Sequence, residues 1–114
     1  MKAKKNKKDY KTMSVEEIRE LIKRRRFQVL VHSFIYYRLN DNIISNETFN
    51  QWALELIDLQ SLYPEISKEV ELYNAFCSFT NVGDAAFLPL DGDAQLESRA
   101  TQLLKSHYEK QKGE

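Results

Sequence analysis

Apolar residues recur along most of this chain at spacings of three, four and seven, the period of a helix with one buried face. Ile18, Leu21, Ile22, Val29, His32, Tyr36 and Leu39 share such a face, interrupted by the charged turn Lys23 to Arg26. Ser14-Val-Glu-Glu17 is a capping box, in which the serine oxygen and the glutamate satisfy free amides at a helix start. The first helix is therefore predicted from Ser14 to about Asn40. Asn40 to Ser45 is rich in side chains that bond their own backbone, and Ser45 is a good N-cap for a second helix with Phe49, Trp52, Ala53, Leu56 and Leu59 inward. A connection this short makes the two helices an antiparallel hairpin. Pro64 ends the second helix, because the residue before a proline is pushed out of helical angles.

Ile66, Val70, Tyr73 and Cys77 keep helical spacing and predict a third, shorter helix. From Phe79 to Asp93 the period fails. Gly83, Pro89 and Gly92 mark an irregular loop there, expected to be pinned by Phe87, Leu88 and Leu90. Asp93 can cap a last helix with Leu96, Ala100, Leu103 and Leu104 inward. The fold class expected is all-α: a helical hairpin plus one or two further helices. The organisation expected is a flexible basic arm over 1–13, one helical domain over 14–110 and a polar tail over 111–114.

Composition supports this picture and narrows the function. A length of 114 residues suits one domain, and only three glycines and two prolines supply too few turns for a sandwich or barrel. No run reaches the roughly 20 apolar residues that span a bilayer, so no membrane association is expected. The single cysteine cannot form an internal disulfide, which leads us to expect a cytoplasmic setting. Cys77 itself is expected to be an inert buried thiol.

The net charge of zero conceals a polarity: residues 1–26 hold 11 Lys/Arg against 4 Asp/Glu, and residues 27–114 hold 6 against 13. Lys4, Lys5, Lys7 and Lys8 in the arm, with Lys23, Arg24, Arg25 and Arg26 on the first helix, could release counterions from a nucleic-acid backbone, and Tyr10 and Phe27 could stack on bases. The competing reading is a solubilising tail and a solvated helix face.

Catalytic constellations are missing: there is no phosphate-binding glycine loop, no paired cysteines and no His-Glu-x-x-His. His32 and His107 lie on different helices, and neither is assigned to catalysis. Asp91-Gly-Asp93 lacks the ligand count of a calcium loop and is better explained as helix capping. No metal site is expected.

One stretch carries a specific likeness. Tyr36-Tyr-Arg-Leu-Asn-Asp-Asn-Ile-Ile-Ser-Asn-Glu-Thr-Phe-Asn50, continuing through Glu55-Leu56, Leu59 and Tyr63-Pro-Glu65, resembles the small helical N-terminal subdomain of bacterial NAD-dependent DNA ligases. The family pattern has a Tyr-His pair on a helix, a turn ending in Asp, a Tyr-Asp pair one helical turn later, and a Glu-Leu and His/Tyr-Pro-Glu ending. The resemblance covers roughly 50 residues and leaves out the last third of the chain. It implies a face for nicotinamide mononucleotide at Tyr36, Tyr37, Asn46, Phe49 and Asn50. Of these, only Tyr36 keeps the family's residue; Tyr37 stands for His, Asn46 and Asn50 for Asp, and Phe49 for Tyr. Amides lack the charge that carboxylates offer a pyridinium and ribose hydroxyls, so weak binding of NAD or nicotinamide mononucleotide is the most this face is expected to give. Capping and burial offer a purely structural reading of the same residues, with Asn46 supporting the helix start, Asn50 solvated and Phe49 in the core.

The ligase family also implies an adenylation domain with a Lys-x-Asp-Gly nucleophile, and Asp91-Gly92 has no lysine two residues before it. Enzymatic activity is therefore not expected. Small stand-alone proteins with such a segment resemble bacteriophage products that act by binding a host component. Three functions stay open: a non-enzymatic interaction module with a protein partner, a weak binder of NAD or nicotinamide mononucleotide, and a nucleic-acid accessory protein.

Overall fold

The computed structural model describes residues 10–112; Lys4, Lys5, Lys7, Lys8, most of the predicted arm and the end of the predicted tail lie outside the described residues. Among the described residues the fold is all-α. Its elements are a 3₁₀ turn Tyr10–Thr12, α1 (Val15–Arg38), α2 (Asn46–Leu62), α3 (Pro64–Glu69), α4 (Tyr73–Phe76), a 3₁₀ helix Val82–Phe87 and α5 (Ala94–Lys112).

Helix α1 starts where its capping box predicts: Ser14 Oγ accepts from the Glu17 amide, and the Glu17 carboxylate accepts from the Ser14 amide. It ends at Arg38, followed by Asn40 in the left-handed region (φ 56), which asparagine tolerates better than most side chains. α1 is the central helix, packing against α2, α3, α5 and the 3₁₀ helix Val82–Phe87. That central place explains why Leu30, Val31, Phe34 and Ile35, off the predicted stripe, are buried beside Ile18, Ile22 and Val29. α2 runs back along α1. Gln60 meets Arg26, Trp52 meets His32, and Phe49 faces Tyr36 and Tyr37, so contacts ascend one helix as they descend the other. Ala53, Leu56 and Leu59 supply its buried face.

The predicted third helix is divided in two. α3 stops at Glu69, Val70 is extended, and Leu72 takes φ 72, a conformation costly for a branched side chain. The cause is Arg26. Its guanidinium donates to the backbone oxygens of Ser67 (3.2 Å), Val70 (3.0 Å) and Glu71 (2.9 Å), to Ser67 Oγ (2.6 Å) and to Gln60 Oε1 (2.9 Å). An arginine that takes up carbonyls at the end of α3 replaces the bonds by which a helix would continue. Gln60 extends the link by donating to the Phe76 carbonyl, which ties α4 to α2.

Between Phe79 and Asp93 the chain forms the 3₁₀ helix, capped by Asn81 and Asp84, and returns Ala85, Leu88 and Leu90 to the core. Phe87, expected to pin this loop, is 84% exposed. Cys77, expected to be buried, is exposed as well, because it lies beyond the end of α4. Gly92 takes φ 82 just before Asp93, whose carboxylate accepts the Gln95 and Leu96 amides and so caps α5 as predicted. Leu96 and Ala100 are buried, whereas Leu103 is 39% exposed. Among the described residues no helix is long and apolar enough to cross a membrane.

Candidate functional site

The loop between α1 and α2 and the first turn of α2 wall a cleft of about 230 Å³. All five residues of the predicted nicotinamide face line it: Tyr36 and Tyr37 from the end of α1, and Asn46, Phe49 and Asn50 from the start of α2. Ser45 fixes this wall, its Oγ accepting from the Thr48 amide at 3.0 Å, so that Asn46 and Asn50 follow one helical turn apart on the same face. Tyr36 and Tyr37 meet edge to face with centroids 4.8 Å apart, and both rings are substantially exposed. Phe49 is half-buried, which answers the structural reading in part: it packs on the core and also lines the cleft.

The sequence reading missed several lining residues. His32 and Ser33 precede Tyr36 and Tyr37 by four positions, a spacing that places them on the same helix face and could have signalled them. Val82, Gly83 and Ala85 close the far side, and no local pattern links them to residues forty positions earlier. Ser33 is distinctive. It is buried, and among the described residues its hydroxyl is the one buried side-chain polar group without a hydrogen-bond partner. His32 rests against Trp52 with ring centroids 5.4 Å apart, and burial pushes its pKa below the ordinary imidazole value, so it is neutral at pH 7.

The basic stretch of α1 does not form one surface. Arg26 is fully buried in the hub described above, so its assignment to nucleic acid is corrected. Burial lowers its pKa to about 10, with Tyr73 and Cys77 acting in the opposite direction, and it remains a cation whose donors are turned inward. Arg25 is also withdrawn. Its Nε lies 2.7 Å from Glu55 Oε1, with each side chain only 13% exposed. Lys23 lies 3.9 Å from Glu71, and Arg24 is exposed. Of the four, Lys23 and Arg24 are left facing outward. The two aromatic candidates are engaged too: Tyr10 donates to Glu55 and packs edge-on against Tyr63, and the Arg99 guanidinium lies 5.4 Å over the Phe27 ring. Tyr10 therefore anchors the 3₁₀ turn to α2, within the stretch expected to be a flexible arm. Burial, and after it the Glu55 carboxylate, raises the Tyr10 pKa well above the usual phenol range. Among the described residues no group of three or more His, Cys, Asp or Glu side chains is placed to hold a metal ion.

Comparison with known proteins agrees with the likeness to DNA ligases. Over 51 residues the chain is 39% identical to a DNA ligase of Pseudothermotoga lettingae. Over the same length it is 35% identical to DNA ligases of Thermotoga petrophila and Thermotoga maritima. The matched stretch is 45% of this chain and 7–8% of those ligases, so this chain shares one small segment with them. No protein-family model and no solved structure matches the chain.

Proposed function

We propose that this protein is a non-enzymatic binding module, built on a ligase-like helical hairpin, whose cleft receives the nicotinamide half of a nicotinamide nucleotide. The observation that carries this reading is the convergence of Tyr36, Tyr37, Asn46, Phe49 and Asn50, picked out by likeness to a nucleotide-binding segment, on one cleft. Aromatic walls with a few convergent amides are the usual make-up of a small-ligand site. The volume of about 230 Å³ lies below the roughly 300–1,000 Å³ of sites for drug-sized ligands, which favours one ring and its sugar over a whole dinucleotide. With no adenylation lysine motif, the module holds its ligand and does not transfer adenylate, and we place it in the cytoplasm.

Calorimetric titration with nicotinamide mononucleotide and with NAD, each in its oxidised and its reduced form, tests the reading. Binding of either form that weakens at least tenfold in both Tyr36→Ala and Asn50→Ala supports it; no heat with either form at millimolar ligand refutes it. Adenine-labelled NAD is expected to leave no covalent label on the chain.

A second reading, an interaction module of bacteriophage type that binds a host macromolecule, is favoured by Phe87, whose ring stands exposed beside Pro89, Leu72 and Tyr73 on a surface separate from the cleft. A Phe87→Ser variant that loses co-purifying host protein while keeping nucleotide binding would support this reading. The nucleic-acid reading is weakened, since Arg25 and Arg26 are engaged inside the domain.

A further inference from the structure

The chemistry of the cleft narrows what it can hold. Among the described residues, its polar lining consists of the amides of Asn42, Asn46 and Asn50, the hydroxyls of Ser33, Ser45, Tyr36 and Tyr37, and the neutral imidazole of His32; no carboxylate, lysine or arginine lines it. Nearby carboxylates are held elsewhere. Asp41 accepts from the Tyr108 hydroxyl at 2.8 Å and from the backbone N–H of Asn42 at 2.8 Å, and Asp84 accepts from the backbone N–H groups of Thr80 and Asn81. Glu47 follows Asn46 in the first turn of α2 but does not line the cleft.

A cation entering such a site loses hydration and meets no counter-charge. The positive end of α2, whose first turn forms one wall, adds repulsion. Aromatic faces return part of this loss through cation–π attraction, yet they stack on an uncharged ring as well, so they do not decide between the two. An uncharged ring bearing a carboxamide has no desolvation debt of that size. Its carbonyl and NH₂ match the mixed donors and acceptors of three asparagine amides. The buried Ser33 hydroxyl, which has no hydrogen-bond partner within the protein, is a further group that such a ligand can satisfy once the side chain rotates toward it.

We propose that the cleft selects an uncharged carboxamide-bearing ring, as in free nicotinamide or a dihydronicotinamide nucleoside, and rejects the cationic pyridinium of the oxidised nucleoside. This rests on the nicotinamide reading of the same cleft and adds the charge state of the ligand. It also gives the two amides a purpose, since carboxylates at Asn46 and Asn50 would favour the cation.

The test titrates the full chain with three probes, free nicotinamide, oxidised nicotinamide riboside and reduced nicotinamide riboside, which share the carboxamide and differ in charge and sugar. Reduced riboside is expected to bind about tenfold or more tighter than oxidised riboside, a gap of about 1.4 kcal/mol. The affinity for it should be unchanged between low and high salt. Free nicotinamide binding as well as the reduced riboside would make the ring alone the ligand; weaker binding would assign the sugar a share, and both agree with the proposal. Asn46→Asp should reverse the ranking of the two ribosides and make oxidised riboside binding fall with salt; an acid at the first position of a helix is favourable, so this variant folds. Oxidised riboside binding as tightly as reduced riboside, or more tightly, in the unmodified chain would overturn the charge selection and leave the nicotinamide reading standing. Absence of binding by all three probes would overturn both.

Discussion

Replacing Arg26 should cost more stability than any other single change on α1. Its guanidinium makes five hydrogen bonds, and four of the acceptors belong to one corner of the chain, Ser67 to Glu71. Ser67 and Val70 are buried, so their oxygens lose the arginine without gaining water. Each buried acceptor left unsatisfied costs about 1–3 kcal/mol, and truncating one partner of a buried charged network typically costs about 3–5 kcal/mol in all. We expect about 3–5 kcal/mol for Arg26→Ala, where a cavity adds to the lost bonds, and about 2–4 kcal/mol for Arg26→Met, which keeps volume and loses the donors. Near 4 °C per kcal/mol for a domain of this size, the alanine variant should melt roughly 12–20 °C lower. Arg26→Lys should fall between wild type and Arg26→Met, because one ammonium cannot reach acceptors spread across both forks of a guanidinium. Far-UV circular dichroism during thermal and urea denaturation measures the series. Arg26→Met melting within 2 °C of wild type would refute the reasoning and show that the α3–α4 corner holds without the arginine.

Ser33→Ala removes a buried hydroxyl that has no partner, so melting should stay level or rise slightly while affinity for reduced riboside falls several-fold; a loss of stability would mean the hydroxyl is satisfied in the free protein. Ser45→Ala deletes the α2 cap and should cost about 1 kcal/mol, read by urea denaturation. Glu55→Gln breaks a pair shielded from water and loosens the Tyr10 anchor, costing about 1–3 kcal/mol and speeding tryptic cleavage after Lys11. For His32, the folded value lies below the unfolded one, near 6.5, so the unfolded chain takes up its proton first as pH falls. Melting should therefore decline from pH 7 toward pH 5.5 and level off below the folded value, and His32→Gln should flatten that decline.

How far the cleft could be read from the chain depended on the range of its contacts. Five lining residues came from a contiguous stretch, Tyr36 to Asn50, because a helix end, a short loop and a helix start necessarily place their side chains near one another. The volume they enclose depends on Val82, Gly83 and Ala85, and nothing in the order of residues tells a 3₁₀ turn forty positions later to close over them. Ser33 shows the same divide: its spacing from Tyr37 is visible, and its lack of a partner appears only once its surroundings are assembled.

Local chemistry alone determined the helix starts at Ser14, Ser45 and Asp93, the end of α1 near Asn40 and the all-α class, since capping and period act within a few residues. The fate of charge was decided by tertiary structure. Lys23 to Arg26 present four similar cations in sequence, yet the helix turns each by about 100°, so Arg24 meets water, Arg25 meets Glu55 and Arg26 enters the core. Period also failed at Val70 to Leu72, where helical spacing continues but the arginine from α1 occupies the carbonyls a continuing helix would use. A bond to a residue more than forty positions away outweighs local propensity here, because a buried guanidinium must find acceptors wherever the fold supplies them.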